Sequence, residues 1–443
     1  MGPDPMVKFG WGSDPQERSP RKFMEVIEMK VMIVGNGGRE HTIAFKVSEN
    51  KAVTKIYCAP GNGGTASMDI CENVNVKGVA ALADFAEQNK IDLTIVGPEV
   101  PLTEGLVDEF KARGLKAFGP AKDAARLEGS KIYSKAFMKK YGIKTAAYET
   151  FEEKEPALEY LKGCDYPVVI KADGLAAGKG VVICEDYAMA EKTIFEFMVE
   201  DIFQGSGKKI IVEEFLEGPE ASILSITDGE VILPFISAKD HKQIFDGGKG
   251  PNTGGMGAIA PNPYYTKEVM EDFEKNIMEP TLRGIREENL DYTGIIFFGV
   301  MITKKGAYLL EYNVRLGDPE TQAVLPLMKS DFVDMVNAAL NKKLKEFKLE
   351  WYEGASCCVV AASAGYPGKY EKGFQITGIE NCERVFAAGT SYKDGKFYTD
   401  GGRVLCTQAN GGSLQEAIDK AYENINKINF QGIYFRKDIG KIL

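Results

Sequence analysis

Short apolar runs alternate with amphipathic stretches through residues 30–120, and this alternation is the first structural signal in the chain. The runs KVMIVG, VTKIYCA, IDLTIVG and KAFG are typical of buried strands. Between them, EHTIAFKVSEN, ALADFAEQNK and PLTEGLVDEFKARG place apolar residues at helical spacing. The alternation predicts a parallel sheet with helices on both faces, whose ligands lie at the carboxyl ends of the strands.

Glycines cluster where these predicted strands end. They are Gly35, Gly37, Gly38, Gly61, Gly63, Gly64 and Gly97. The first two glycines begin a G-x-G-x-x-G dinucleotide motif, but Glu40 occupies its sixth position. The second strand ends in YCAPGN, without the acidic residue that would hold an adenosine ribose. The pattern therefore favours a mononucleotide or a sugar phosphate, with simple tight turns as the alternative.

A second glycine-rich loop, KADGLAAGKG, spans residues 171–180 and directly follows the predicted strand YPVVI. It fails as a P-loop, because Asp173 stands where the first glycine belongs and Gly180 where the Mg²⁺-binding hydroxyl belongs. Its composition still suits a loop that closes over a polyphosphate, since glycine lets backbone N–H groups approach anionic oxygens. A flexible hairpin connection to the following run, GVVICED, is the alternative.

Three further stretches have distinct patterns. GSKIYSKAFMKKYGI, with Lys131, Lys135, Lys139 and Lys140, predicts a basic helix with a solvated face. The predicted strand in KKIIVEEFLEGPEAS ends in several carboxylates, which is costly unless they are solvated or bind a ligand. Residues 240–261 are too rich in glycine for a core element and too long for a simple turn, so we expect a functional or disordered loop.

The stretch LLEYNVRLGDPE predicts a strand with one chemically specialised face. At a period of two residues, Glu311, Asn313 and Arg315 project to one side. The other side would carry Leu310, Tyr312, Val314 and Leu316. Carboxylate and amide oxygens are ligands that Mg²⁺ prefers, and a guanidinium group can hold a phosphoryl group. A solvated edge strand with an internal salt bridge is the alternative.

The length of 443 residues exceeds one hydrophobic core and predicts several domains. Residues 1–28 are rich in Pro, Gly and charge, and we expect a disordered extension there. We expect an N-terminal substrate-binding α/β domain over 29–129 and a central domain over 130–350 whose lid covers 149–217. Several short strands and a final helix predict an α+β domain over 351–443.

Composition narrows the functional classes. The net charge of −10 argues against a nucleic-acid binder, which usually shows a basic excess. No apolar run approaches the roughly 20 residues that span a bilayer. Eight scattered cysteines without a C-x-x-C spacing, and only two histidines, suit neither a zinc site nor a disulfide framework. A reduced, cytoplasmic setting fits best.

The motifs KADGLAAGKG, VEEFLEGPE and LEYNVRLGDPE, in this order and spacing, resemble those of the ATP-grasp carboxylate–amine ligases. Within that superfamily, VMIVGNGGREH, APGNGGT, TIVGPE, DHK, GPNTGGMGA and GGRVL are similar to the glycinamide ribonucleotide synthetases, or phosphoribosylamine–glycine ligases. The resemblance covers residues 29–443. It implies an α/β fold with an N-terminal parallel-sheet domain, an ATP-grasp central domain with a small lid, and a C-terminal α+β domain.

The resemblance implies a site for ATP in which the loop of residues 171–180 closes over the triphosphate. Its residues would be Lys131, Lys171, Asp173, Gly174, Gly178, Lys179, Gly180, Glu213, Phe215, Leu216 and Glu220. Glu213 would accept from the adenine amino group, and Glu220 would hold the ribose hydroxyls. Glu311 and Asn313 match the family's Mg²⁺ (or Mn²⁺) ligands, whereas glycine stands at position 299, near where many members have another acidic ligand.

The reaction implied by the resemblance is the ATP-dependent ligation of glycine to 5-phosphoribosylamine in de novo purine biosynthesis. It gives glycinamide ribonucleotide, ADP and phosphate through a glycyl phosphate. Arg315 would stabilise the developing negative charge, and Asp318 would hold the glycine ammonium group. The other substrate contacts would come from Gly37, Gly38, Arg39, Glu99, Asn252, Thr253, Gly254, Gly255 and Arg403.

Three other functions remain open on the sequence. They are an ATP-grasp ligase with another acid–amine pair, a nicotinamide dehydrogenase that uses the N-terminal sheet, and a non-catalytic nucleotide sensor. The expected partners are the small molecules ATP, glycine and 5-phosphoribosylamine, without nucleic acid or membrane. We expect a monomer or a weak homodimer.

Deleting residues 1–28 should leave activity and thermal stability unchanged, because a segment without apolar periodicity has little surface to bury. The test compares the melting temperature and turnover of the shortened and full-length proteins. A fall in melting temperature of several degrees would show that the segment packs on the rest of the protein.

Overall fold

The computed structural model describes residues 28–176 and 180–441. Residues 1–27 of the expected extension lie outside this part of the chain, as do Gly178 and Lys179 of the predicted phosphate loop. Within the described residues, no helix is both long enough and apolar enough to cross a membrane.

An open parallel sheet flanked by helices begins the fold. Its elements are β1 (Met29–Gly35), α1 (Gly38–Ser48), β2 (Val53–Pro60), α2 (Gly63–Ala66), β3 (Cys71–Asn73), α3 (Val79–Asn89), β4 (Leu93–Val96), α4 (Glu99–Glu104), α5 (Leu106–Ala112) and β5 (Ala117–Phe118). The strand order is β3-β2-β1-β4-β5, and every pairing is parallel. The predicted parallel sheet is confirmed, and its carboxyl edge brings the glycine-rich turns together.

Two helices, α6 (Lys122–Gly129) and α7 (Lys131–Tyr141), lead from this sheet to a small unit that we call the lid. The lid consists of β6 (Tyr148–Phe151), α8 (Lys154–Leu161), β7 (Val168–Ala172), β8 (Val181–Cys184), α9 (Tyr187–Ile194) and β9 (Ile210–Glu214). Its antiparallel sheet has the order β6-β9-β7-β8. Its apolar core, which includes Leu161, Ile170 and Val212, is formed by lid residues alone. The lid is therefore packed separately from the body.

The elements of the central part of the chain are β10 (Glu220–Thr227), β11 (Ile232–Pro234), β12 (Lys239–Asp240), β13 (Gln243–Phe245), β14 (Lys249–Asn252), β15 (Gly257–Ala260), α10 (Lys267–Phe273), α11 (Glu279–Glu287), β16 (Gly294–Thr303), β17 (Gly306–Asn313), α12 (Glu320–Val324) and α13 (Phe332–Leu340). Four of these strands form a second antiparallel sheet with the order β11-β10-β16-β17. The adjacent strand patterns TGIIFFGVMIT and GAYLLEYNVRLGDPE predict a hairpin, and β16 and β17 form it.

Strand β17 departs from the predicted two-residue alternation at one point. Gly299 pairs with Glu311, but the next residue, Val300, pairs with Leu309, so that Leu310 lies in a β-bulge. Leu309 and Tyr312 both face the core, while Leu310 is only half-buried. The expectation that Leu310 shares the apolar face was therefore wrong, because the extra residue shifts the side-chain alternation.

The glycine-rich stretch over residues 240–261 is not a loop throughout. It contains β13, β14 and β15, and all of β15 is buried. A Cβ atom at Gly257 would lie 2.6 Å from the carbonyl oxygen of Cys358 on a neighbouring strand. Glycine thus allows close packing within a core sheet, and the prediction that this stretch holds no core element was wrong.

The remaining elements complete the body. They are β18 (Ala355–Ala362), β19 (Gln375–Ile376), β20 (Val385–Ala387), β21 (Thr390–Lys393), β22 (Lys396–Thr399), β23 (Arg403–Gly411) and α14 (Leu414–Ile425). Strands β18, β20 and β23 join β12 and β15 in one sheet of order β12-β15-β18-β23-β20. One apolar cluster includes Ile33, Leu224 and Cys358, so the N-terminal, central and C-terminal parts of the body share a core.

Asn62 fastens the N-terminal sheet to the C-terminal part of the body. Its amide nitrogen donates to the carbonyl oxygens of Asn36, Gly37 and Ala387 at 2.9 to 3.0 Å. Its amide oxygen accepts from backbone N–H groups at the start of α2. Beside it, His41 accepts a hydrogen bond from the Ala387 N–H, and burial lowers the pKa of His41 to about 4. The imidazole therefore remains a neutral acceptor at ordinary pH.

Asn62→Asp should destabilise the protein by about 2–4 kcal/mol, because it keeps the helix cap but turns a buried carboxylate toward three carbonyl oxygens. The measurement is the free energy of unfolding in urea. Asp186→Asn is the matched control, since Asp186 caps α9 through one accepting oxygen that the amide retains. Equal stabilities for Asn62→Asp and the control would contradict this account of the contact.

Candidate active site

Glycines 37 and 38 begin α1 at the carboxyl edge of the N-terminal sheet, where the helix meets the segment after β17. The Arg39 N–H donates to Asp318 at 3.2 Å, and the Arg39 guanidinium donates to the Leu316 carbonyl at 3.0 Å. A Cβ atom at Gly38 would collide with the Gln322 side chain. The glycines therefore allow α1 to approach α12 closely, which brings two of the predicted substrate regions together.

Glu40, which occupies the sixth position of the incomplete G-x-G-x-x-G motif, has a structural role that the sequence pattern did not reveal. Its carboxylate accepts from the Gly37 N–H and pairs with Arg39, and the residue is 1% exposed. It occupies the space against Gly35 and Gly97 that a third motif glycine would leave open. The departure from the motif is thus a structural feature of this turn.

Arg315 lies at the junction of several elements. Its guanidinium is 2.9 Å from Glu128 and 3.4 Å from Glu99, and it donates to the Asn313 amide oxygen at 2.9 Å. Burial would raise the pKa of Glu99, but Arg315 and Arg39 hold it below the ordinary value. The atom that faces Glu99 is Arg315 Nε, which is buried and lies at ion-pair distance without a hydrogen bond of acceptable geometry to any described residue. Carboxylates therefore hold the guanidinium from two sides.

Glu311 and Asn313 have the chemistry of a divalent-cation site. Burial opposes ionisation of Glu311, but Lys242, Lys131, Lys171 and Arg315 lower its pKa below the ordinary value. A Cβ atom at Gly299, opposite Glu311, would lie 3.3 Å from the Glu311 side chain, so glycine leaves space beside the carboxylate.

Over residues 28–176 and 180–441, no group of three His, Cys, Asp or Glu side chains is arranged to hold a metal ion. The two oxygen donors fit a divalent-cation site in which phosphates and water would supply the other ligands.

The lid strands β7 and β9 hold a buried charge cluster. Lys171 Nζ is 2.9 Å from Glu213 Oε2 and donates to the Leu310 carbonyl at 3.3 Å. Lys135 Nζ is 3.3 Å from Glu213 Oε1, and Lys135 is 2% exposed. The prediction of a solvated face for the basic helix was therefore wrong for Lys135, whereas Lys139 and Lys140 are exposed. The spacing of apolar residues in α7 gave no sign of a buried lysine.

The described part of the glycine-rich loop joins the lid to α7. The Asp173 carboxylate accepts from the Ser130 hydroxyl at 2.9 Å and from the Ile132 N–H at 2.7 Å. Gly174 donates to the Ser206 carbonyl, and the Gly180 carbonyl accepts from Ala172. Asp173 therefore fixes the base of the loop to the helix that begins with Lys131.

After β9, the chain places Phe215 at the surface with 39% exposure and Leu216 half-buried. At the start of β10, Glu220 pairs with Lys242 at 2.6 Å. Lys242 was missed as a site residue, although it belongs to the DHK motif. Its ammonium group interacts electrostatically with both the predicted ribose ligand Glu220 and the predicted metal ligand Glu311.

The predicted substrate loop 252–255 is held by Arg403. Arg403 Nη1 donates to the carbonyl oxygens of Gly254 and Asp318 at 2.7 and 2.6 Å and is 3.4 Å from the Asp318 carboxylate. Within the loop, the Thr253 hydroxyl donates to the Lys242 carbonyl at 2.7 Å. The predicted phosphate ligand Arg403 is thus engaged with two loops through this nitrogen.

Two acidic residues near this loop were also missed: Asp240, which is half-buried, and Glu320, which is buried. Burial and Glu320 raise the pKa of Asp240 well above its ordinary value, although Lys242 and Arg403 oppose that effect. Glu320 accepts from the Ser222 hydroxyl at 3.1 Å. Asp240 belongs to the DHK motif and Glu320 to the GDPE motif. Membership of these motifs was the sequence signal that could have identified the two residues.

A lid sheet with a glycine-rich loop, set beside a second sheet that carries carboxylate and amide oxygens, defines an ATP-grasp enzyme. Enzymes of this class use ATP and a divalent metal. Sequence comparison supports the same class for residues 129–321, which match the ATP-grasp (A) domain of phosphoribosylglycinamide synthetase. Residues 29–128 and 356–442 match the N and C domains of the same family.

Relatives match over nearly the whole chain. A phosphoribosylamine–glycine ligase of Clostridium acetobutylicum is 65% identical over 414 residues, which cover 93% of this chain and 100% of that relative. One from Fusobacterium nucleatum is 54% identical over 420 residues, covering 94% of this chain and 99% of the relative. The chain belongs to the phosphoribosylglycinamide synthetase family of ligases.

Solved structures share the fold. The crystal structure of phosphoribosylamine–glycine ligase from Thermotoga maritima matches with a TM-score of 0.81 at 36% identity, covering 93% of this chain and 100% of that one. A biotin carboxylase domain from Hydrogenobacter thermophilus matches with a TM-score of 0.71 at 16% identity, covering 92% of both chains. The second likeness concerns the fold alone.

Glu311→Ala and Asn313→Ala should each lower ADP formation by at least about a hundredfold and leave the fold intact, because loss of a metal ligand also releases the phosphates. Turnover is measured over a Mg²⁺ titration together with thermal melts. Glu217→Ala, which removes an exposed carboxylate, is the control. Near-normal turnover of both site variants at saturating Mg²⁺ would remove these residues from the metal site.

Proposed function

We propose that this protein joins glycine to 5-phosphoribosylamine with ATP, and forms glycinamide ribonucleotide, ADP and phosphate in de novo purine biosynthesis. The observation that supports it most directly is the concentration of four cationic side chains around Glu311. A metal ligand surrounded by cations suits a polyanion that carries its own metal, as a nucleoside triphosphate does. The names of the relatives supply the acid and the amine.

In the first step of this proposal, an oxygen of the glycine carboxylate attacks the γ-phosphorus of ATP, and ADP leaves. The product, glycyl phosphate, has a leaving group that a free carboxylate lacks. The protein must position the reactants and balance charge, because the transferred phosphoryl group needs no protein nucleophile. Lys131 and Lys171 would serve this role, and Glu311 and Asn313 would hold Mg²⁺ or Mn²⁺, which supplies further neutralisation of phosphate charge.

In the second step, the amine of 5-phosphoribosylamine attacks the acyl carbon of glycyl phosphate and expels phosphate. The guanidinium of Arg315, which Glu99 and Glu128 hold in place, would stabilise the oxyanion that develops at this centre. Asp318 is a candidate for the glycine ammonium, because Arg403 and Arg39 lower its pKa against the effect of burial and keep it ionised. The turns at Gly37 and Gly38 would receive the amine substrate.

For the nucleotide, Glu213 would accept from the adenine amino group, the segment at Phe215 and Leu216 would line the base, and Glu220 would hold the ribose. The loop between Asp173 and Gly180 would close over the triphosphate. Closure matters because acyl phosphates hydrolyse in water. The biotin carboxylase domain of similar fold was solved with MgADP, a ligand of the same type as the one proposed here. The eight free thiols suit the cytoplasm, where we place the enzyme.

Release of ADP by the purified protein tests the proposal. We expect ADP formation from ATP and Mg²⁺ to require both glycine and 5-phosphoribosylamine, and the product to be glycinamide ribonucleotide by mass spectrometry. Replacing glycine with alanine or with a carboxylated purine intermediate distinguishes this reaction from that of another ATP-grasp ligase. Faster ADP formation with either replacement would assign a different acid–amine pair.

A further inference from the structure

Two buried lysines contact the single carboxylate of Glu213, so this cluster contains one more positive charge than is required to neutralise the carboxylate. Lys171 Nζ lies 2.9 Å from one carboxylate oxygen of Glu213, and Lys135 Nζ lies 3.3 Å from the other. All three residues are buried, with exposures of 2% to 5%. Lys171 alone would balance Glu213, and an additional buried ammonium group is costly. Burial and Lys171 lower the pKa of Lys135 to about 8, even though Glu213 opposes them.

The two lysines have different attachments. Lys171 lies on the lid strand β7, and its second contact is the Leu310 carbonyl beside Glu311. Lys135 lies on α7 and donates to the Thr145 hydroxyl at 2.7 Å, and Thr145 donates to the Leu309 carbonyl at 2.5 Å. Both lysines are thus linked to β17, Lys171 directly and Lys135 through Thr145, but they contact different oxygens of the Glu213 carboxylate. Lys135 can therefore keep its contact with Glu213 when Lys171 moves.

Other contacts hold Lys135 in place. The Tyr148 hydroxyl donates to the Lys135 carbonyl at 2.9 Å, and the Tyr148 ring centre is 5.3 Å from Lys135 Nζ. Glu213 Oε1 is buried without a hydrogen bond of acceptable geometry to any described residue, although it lies within ion-pair distance of Lys135. A carboxylate oxygen has two lone pairs, so Oε1 can accept a further hydrogen bond while Lys135 supplies the opposing charge.

We propose that Lys135 is a positioning residue that keeps Glu213 ionised and in place when Lys171 turns from Glu213 to the phosphates of the nucleotide. The inference deepens the proposed function, because it rests on the assignment of Glu213 and Lys171 to ATP. Without Lys135, Lys171 would be the sole partner of a buried carboxylate, and drawing it to the phosphates would leave Glu213 unpaired. The free energy needed to leave Glu213 unpaired would then weaken ATP binding, whereas the rates of the chemical steps would not change.

Variants of Lys135 test this division between binding and chemistry. Lys135→Met should raise the KM for ATP about tenfold and change kcat by less than about twofold, because only nucleotide binding separates Lys171 from Glu213. Lys139→Met, an exposed lysine on the same helix, is the control and should leave both constants unchanged. Thermal melts of each variant report whether it folds.

A double-mutant cycle with Glu213→Gln separates positioning from packing. Removing the charge of Glu213 should make Lys135 dispensable, so the double variant should bind ATP as well as Glu213→Gln alone. The proposal is overturned if the two fold-changes in KM multiply, or if Lys135→Met leaves the KM unchanged. Kd values for ATP from isothermal titration calorimetry should follow the same pattern. They remain informative even if the wild-type protein fails to turn over glycine and 5-phosphoribosylamine, which would refute the proposed function instead.

The pH dependence gives a second test, which applies even if Lys135→Met does not fold. The charged and titratable groups that face Lys135 are Glu213, Glu214, Lys171 and Tyr148. As pH rises through about 8, Lys135 loses its proton in the enzyme that has not bound ATP. The kcat/KM for ATP should therefore fall in the wild-type protein. Lys135→Arg, whose guanidinium stays charged, should lack that fall. The same alkaline fall in both proteins would overturn the proposal.

Discussion

The geometry of the site depends on the contacts of the half-buried Arg315 guanidinium. It contacts Glu99 at the start of α4, Glu128 in α6 and Asn313 in β17. Removing one member of such a network would leave a buried charge unpaired, which usually costs several kcal/mol. The network therefore fixes the position of the N-terminal sheet relative to the strand that carries the metal ligands, and it orients the Asn313 amide.

The body and the lid are held by different forces. The N-terminal, central and C-terminal parts share one apolar cluster, and Asn62, Arg39 and Arg403 add polar contacts between them. The lid has its own small core. Its described links to the body include the Asp173 contacts with α7 and the Lys171 contact with β17. A unit with its own core and a few polar links can change its position without unfolding, which closure over a nucleotide requires.

The sequence predicted the elements whose signal is local. Alternating apolar and amphipathic runs identified the parallel sheet, and the hairpin of β16 and β17 followed from two adjacent strand patterns. The bulge at Leu310 could not be predicted, because it depends on pairing with a neighbouring strand. The same reason applies to β15, because the close approach of Gly257 to Cys358, which makes glycine suitable in this core strand, depends on pairing with a strand distant in sequence. Motif order located the candidate site residues, but the burial of Lys135 depends on contacts from the lid.

The distribution of charge explains how an acidic protein can bind a polyanion. The chain carries a net charge of −10, yet Lys131, Lys171, Lys242 and Arg315 converge on Glu311. Three of these cations pair with carboxylates: Lys171 with Glu213, Lys242 with Glu220 and Arg315 with Glu128. A triphosphate with its metal can replace those carboxylates as the partner of some lysines, provided that each abandoned carboxylate keeps another cation or gains a ligand hydroxyl or amine. The site is therefore organised for exchange of partners, and its carboxylates take part in nucleotide binding as much as its lysines do.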